Sequence, residues 1–272
     1  KTPLQALSVG ISPYVLKLLQ SNANDLRQIL VFIWAKILAL DKSCQADLVK
    51  DNGHTYFINI LAQPAIESQL RALAAFVLCA TVDKYPAGQE ACLQYKNLFQ
   101  ICTSQLADED PQARKWICLL LGKLLYNFDE AQEEAFRQGI HEQVAQLLID
   151  DVTEVRAAAV YTLSCFLGKP ELQSEKSENR VHGELTIGHV LFKVIADGSV
   201  LVRRELVYTL IALDNSYSDH LCPSILIPMI EDDERGVCRI KPSAASQQQE
   251  EKPRDLKDRE IGKRGFFVLD LC

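Results

Sequence analysis

Nine cysteines, five histidines and a periodic set of arginines are the side chains of this 272-residue chain whose chemistry could define a function. A cysteine nucleophile needs a nearby cation to hold its thiolate, and a zinc site needs cysteine and histidine pairs at short fixed spacing. Neither arrangement occurs. No two cysteines stand as C-x-x-C, and His54, His141, His182, His189 and His220 are scattered. His141–Glu142 begins as a metalloprotease helix begins, but Ala145 stands where the second histidine would be. No G-x-x-x-x-G-K-S/T or G-x-G-x-x-G phosphate loop and no G-x-S-x-G elbow is present. The chain therefore reads as non-enzymatic, with no catalytic, metal or cofactor residue assigned and no cofactor expected. An odd number of irregularly spaced cysteines suits buried free thiols in a reducing compartment better than a disulfide framework.

The arginines carry the organisation. Arg27, Arg71, Arg114, Arg156 and Arg203 follow one another at intervals of 44, 43, 42 and 47 residues. Around each, the positions −1, +3, +7 and +10 repeat an apolar frame, from Leu26/Leu30/Trp34/Ile37 in the first unit to Val202/Leu206/Leu210/Leu213 in the fifth. Only Thr81 interrupts it. Such steps trace one stripe of an α-helix, and a repeat of this length carrying two or three helices marks an armadillo or HEAT solenoid. The expected fold is an all-α solenoid of about five repeats, a class that binds other proteins along an extended surface. Each arginine is expected to pack its stem and bond a neighbouring carbonyl or carboxylate. The competing reading is an arginine ladder for an acidic ligand.

These long helices need partners to position them. A polar turn precedes each: Ser21–Asn24, Gln63–Ile66, Asp108–Pro111, Asp150–Thr153 and Asp197–Ser199. Shorter apolar helices come earlier, at Tyr14–Leu19, Tyr56–Leu61, Leu98–Leu106, Gln143–Ile149 and Val190–Ile195. Some units add a third, at Gln45–Lys50, Gln89–Gln94 and Glu130–Arg137. Gly53 and Gly139 are placed to end helices through left-handed residues. The eighth residue after the arginine is small in four units (Ala35, Cys79, Gly122, Ser164) and is Ile211 in the fifth. A small residue there lets a neighbouring helix approach closely. Trp34 and Trp116 occupy different offsets, so they do not form the tryptophan ladder with which importin-type armadillo proteins hold basic peptides; Trp34 belongs to the core stripe.

Residues 1–234 are expected to form the solenoid, with a polar surface loop at about 168–184 that holds Pro170 and seven charged residues. Residues 235–272 carry nine Lys/Arg against six Asp/Glu and lack the frame, so they are expected to be a disordered tail. The formal charge of −7 for the whole chain leaves about −10 on the first 234 residues, a poor match to nucleic acid. Charged residues break the longest apolar runs, so no membrane span is expected. The chain opens on Lys1 and reads as an excerpt of something larger.

Several stretches carry a family resemblance: Thr2–Gly10 (TPLQALSVG), Pro13–Gln20 (PYVLKLLQ), Leu30–Leu38 (LVFIWAKIL), Ser43–His54 (SCQADLVKDNGH) and Gly88–Leu93 (GQEACL). They closely resemble the armadillo region of the Raptor family, scaffold subunits of target of rapamycin complex 1, over residues 1 to about 231. The resemblance implies a non-enzymatic adaptor of TOR signalling, controlling growth in response to nutrients. Its expected partners are the helical repeats of the kinase and the Rag GTPases. It is expected in the cytoplasm and, through partners, at the lysosomal surface. Substrates of the complex are captured in that family near a caspase-like domain that these residues do not include, so this stretch alone is not expected to capture them. No partner-binding residue is carried over. The alternative is a generic armadillo adaptor of the transport or adhesion type.

Overall fold

The computed structural model describes residues 12–19, 26–167 and 178–221. Among them every regular element is helical. The order is α1 (Ser12–Leu19), α2 (Arg27–Leu40), α3 (Cys44–Lys50), α4 (His54–Leu61), α5 (Ser68–Val82), α6 (Pro86–Leu93), α7 (Leu98–Thr103) and α8 (Pro111–Leu125). It continues through α9 (Asp129–Arg137), α10 (Ile140–Gln146), α11 (Thr153–Ser164), α12 (Glu178–Leu191) and α13 (Val200–Leu221). Short 3₁₀ turns extend α10 and α12 at Leu147–Ile149 and Phe192–Val194.

The arginine helices α2, α5, α8, α11 and α13 pack in succession, and the shorter helices of each repeat lie against them. This is the solenoid expected from the period. The recurring frame is its core. In the third and fourth repeats Ala113, Ile117, Leu121, Leu124, Val155, Ala159, Leu163 and Phe166 are fully buried. Leu70 and Leu210 are half-buried against the same core, and Leu26 at the amino-terminal end is exposed. Burying a stripe of this kind is what drives each unit onto its neighbour, because no single repeat can cover its own apolar face.

The small residue eight places after the arginine does what its size suggests. A Cβ on Gly122 would fall 2.9 Å from Thr162 Oγ1 and 3.1 Å from Thr162 Cα, so α8 and α11 touch nearly backbone to backbone. Cys79 Sγ lies 3.5 Å from the Trp116 carbonyl of α8 in the same way. Ile211, the exception, is half exposed at the carboxyl-terminal end of the described stack.

Two expectations need correction. Residues 178–184 of the expected surface loop are the first turns of α12, and Arg180, Gly183 and Glu184 are buried. Their charges neutralise one another: Arg180 Nε donates to Glu184 one turn on at 3.0 Å, and its Nη atoms reach Asp129 and Glu133 of α9. A polar text thus concealed a buried face. Of the two helix-ending glycines, Gly139 is left-handed (φ 67°) but Gly53 is not; Asn52 before it takes the positive φ (55°). Gly53 is small for another reason, since a Cβ there would sit 2.5 Å from Leu48 Cδ1. The remainder of that loop (168–177), the Ser21–Asn24 turn and the tail 235–272 lie outside the described residues.

Candidate functional site

The recurring arginines form rungs between repeats. Arg71, Arg114 and Arg156 each emerge from the start of a long helix and reach in two directions. Back along its own chain, Arg114 Nη1 donates to the carbonyls of Asp108 (2.7 Å) and Glu109 (3.1 Å). Arg156 Nη1 does the same to Asp150 (2.8 Å) and Asp151 (3.2 Å). Forward, Arg114 grips Asp150 side-on, Nε at 2.7 Å and Nη2 at 3.0 Å, and Arg156 grips Asp197 at 2.7 and 3.1 Å. Arg71 reaches Asp108 through Nη2 and the carbonyls of Pro64 and Ile66 through Nη1. So one guanidinium holds its own turn and the acidic turn of the next repeat.

The acceptor is fixed in advance. Asp108, Asp150 and Asp197 each accept from the backbone N–H two residues on (Asp110, Val152 and Ser199) at 2.8–2.9 Å, which freezes the turn and aims the second carboxylate oxygen at the incoming arginine. The planar fork of arginine matches a carboxylate bidentately, which lysine cannot do. The hydrogen bond from Arg156 lowers the Asp197 pKa against the opposing effect of burial. The bond to Asp150 raises that of Arg114. At the amino-terminal end Ala65 stands six residues before Arg71, where the later turns have aspartate, and Arg27 bonds the Tyr56 hydroxyl instead. Arg71, Arg114 and Arg156 thus act as structural braces, with their donors directed at neighbouring carbonyls and carboxylates of the stack.

A second ladder escaped the sequence reading. Gln45, Gln89 and Gln132 are all buried, and their side-chain amides cap the carboxyl ends of long helices. Gln89 donates to the carbonyls of Lys123 (2.8 Å), Leu124 (3.3 Å) and Tyr126 (2.9 Å); Gln132 donates to Leu125 (3.0 Å) and Cys165 (2.8 Å). The last carbonyls of a helix lack intrahelical partners, and burying them unbonded is costly. The signal was present, because each glutamine stands 18 residues after its repeat arginine. A third brace is Asp83 at the end of α5, which accepts from Lys42 (2.6 Å) and from the buried Lys123 of α8. Burial pushes the Asp83 pKa up, but the two lysines hold it below the usual carboxylate value.

Most groups that could react are withdrawn from solvent, although His182 and His189 on α12 are exposed. All six described cysteines are buried and free, and burial pushes the thiols of Cys92, Cys102 and Cys118 up to about 12. His54 is buried, and the half-buried His141 packs against the rings of Phe136 and Phe166, 5.0 and 6.0 Å away. Burial lowers the pKa of both, against smaller opposing effects of the Ala91 backbone and Glu142. Among the described residues no group of His, Cys, Asp and Glu could hold a metal ion, and no helix is long and apolar enough to cross a membrane. Trp34 is fully buried, as its place in the stripe implied. What the stack offers outward, among the described residues, is a braced helical surface whose open clefts include two. One, of about 470 Å³, lies between the turn at Tyr95–Asn97 and α9; the other, of about 290 Å³, lies beside the Arg71–Asp108 rung.

The chain is similar to the Raptor homolog of Dictyostelium discoideum, 51% identical over 191 residues that make up 70% of this chain and 12% of that protein. Over 208 residues it is 45% identical to the target of rapamycin complex 1 subunit mip1 of Schizosaccharomyces pombe, covering 74% of this chain and 16% of the relative. The crystal structure of Chaetomium thermophilum Raptor superposes with a TM-score of 0.75 at 29% identity, covering 98% of this chain and 25% of that one. No protein-family model matches. The chain therefore spans less than a fifth of the length of these curated relatives. Sequence identity and superposed backbone agree: the chain belongs to the Raptor family, of which it is one helical-repeat region.

Proposed function

We propose that this chain is a non-enzymatic docking scaffold of target of rapamycin complex 1, presenting its solenoid surface to the helical repeats of the kinase and to Rag GTPases. The observation that carries the reading is its 45% identity to a protein named as a subunit of that complex. The physics of the stack supports it. Arginines, buried glutamines and the Asp83 cluster tie each repeat to the next, so the surface is largely pre-formed and binding requires little backbone ordering. The six described thiols and His54 are buried in the core. Recruitment of substrates and residence at the lysosomal surface belong to this reading as properties of the assembled complex.

The test is a pull-down of the purified chain, shown to be folded by circular dichroism, against the kinase's amino-terminal repeats and against a Rag heterodimer. Binding to either, without nucleotide or metal added to the chain, is the expected result. Failure with both would leave a generic armadillo adaptor. Association should slow as salt rises, since the first 234 residues carry about −10 of formal charge.

A further inference from the structure

Arg71 differs from the later rungs in how its guanidinium is satisfied. In Arg114 and Arg156 the Nε–H is one of the two donors that grip the aspartate of the next repeat. In Arg71 the two Nη atoms make every bond: Nη1 donates to the carbonyls of Pro64 (3.1 Å) and Ile66, and Nη2 to Ser68 Oγ (3.0 Å) and Asp108. That accounts for four of the five N–H groups of an arginine. The fifth, on Nε, is buried without a partner, on a residue only 8% exposed. Gln105, which lines the same cleft of about 290 Å³, has the opposite shortage. Its Nε2 donates to the carbonyls of Leu61 (2.6 Å) and Ile101 (3.1 Å), and its Oε1 is buried with no donor. One cleft therefore holds an unused donor and an unused acceptor, each costly to leave unpaired.

We propose that this cleft receives a primary carboxamide, the end of a glutamine or asparagine side chain of a partner polypeptide. Its oxygen accepts from Arg71 Nε, and its nitrogen donates to Gln105 Oε1. Charge and shape make the choice. A carboxylate would meet the Asp108 carboxylate, which already shares the guanidinium, and would offer Gln105 no hydrogen. An ammonium group would offer Arg71 no acceptor. A backbone amide carries chain on both sides and cannot reach buried atoms in so small a cleft, whereas a side-chain carboxamide ends a slim apolar stem. Leu61, Pro64 and Ile101 line the cleft and suit that stem. The site does not depend on which complex the chain serves, so failure of the pull-down above and failure here are separate results.

An NMR titration of the isotope-labelled full chain tests it, read at the Arg71 Nε–H and at the side-chain amide of Gln105. N-acetylglutamine methylamide should shift both resonances saturably. The isosteric N-acetylglutamate methylamide, as its carboxylate, should bind about 3–10-fold more weakly, and N-acetylmethionine methylamide, which lacks both polar groups, about 10-fold or more. Ala107→Leu, and separately Ala62→Leu, add bulk at exposed positions of the lining and should abolish the shifts. Neither residue takes part in the rung, so the remaining resonances report that each variant is folded. Absent or unsaturable shifts would overturn the proposal and leave the cleft to water. Equal or tighter binding of the glutamate probe would make it an acid site, and equal binding of the methionine probe a merely apolar one; either overturns it, as does glutamine binding that survives both substitutions.

Discussion

Cutting the Arg156–Asp197 rung asks whether the ladder holds the repeats together or merely decorates them. The side chains are 17% and 8% exposed, and the guanidinium donates four hydrogen bonds, two to the Asp197 carboxylate and two to the carbonyls of Asp150 and Asp151. Arg156→Met keeps the stem that packs on α11 and deletes all four bonds. It leaves Asp197 with the Ser199 N–H as its one fixed donor. A charge-assisted bond contributes about 1.5–3 kcal/mol, and breaking a well-shielded pair costs about 3–5 kcal/mol. Because one partner keeps some water, about 2–4 kcal/mol is expected, near 6–12 °C in Tm for a chain of this size. Urea unfolding of Arg156→Met, Asp197→Ala and the double variant should give a coupling of about 1.5–3 kcal/mol. Hydrogen exchange should rise first in α11 and α13, on either side of the broken rung. The exposed Arg137–Glu134 pair on α9 is the control, expected to couple by under about 0.5 kcal/mol. If the Arg156–Asp197 coupling falls to the control's value, the rung is not a brace, and the rigidity invoked for docking loses its basis.

Leu163→Ala, at a fully buried frame position, should cost about 2–5 kcal/mol by urea unfolding through lost burial and a cavity. Gly122→Ala should cost about 1–3 kcal/mol, because the added methyl must push apart α8 and α11, and the same measurement reads it. His54 and His141 have pKa values held below 6.5 by burial, so the unfolded chain binds protons first; stability is full above pH 6.5 and declines as pH falls below it. His141→Phe, the residue found at the matching Phe99, should flatten that decline in melts between pH 7 and 5. Truncation after Glu234 should leave Tm unchanged within error, since residues 235–272 offer too little apolar surface to offset about 1–2 kcal/mol per residue of ordering.

The sequence by itself determined the solenoid. A stripe of apolar residues at −1, +3, +7 and +10 from an arginine, repeated at intervals of 42–47 residues, has one economical solution, because each stripe must be covered by its neighbour. It also placed several cysteines in apolar helical runs, and all six described ones are buried. Stretches such as SCQADLVKDNGH marked the family before any coordinates did. Only the tertiary structure decided what the polar residues do. Arg114 and Asp150 are 36 residues apart and meet at 2.7 Å, and no local pattern says that an arginine in one repeat addresses the next repeat rather than a ligand. Nothing local to Gln89 and Gln132 on their short helices says that they cap the ends of α8 and α11, which supply their carbonyls. Arg180 and Glu184 read as a solvated loop because their charges cancel only once α9 lies against α12. Apolar burial follows period, which is local and additive along the chain, whereas polar pairing depends on which groups the stacking brings within hydrogen-bonding distance.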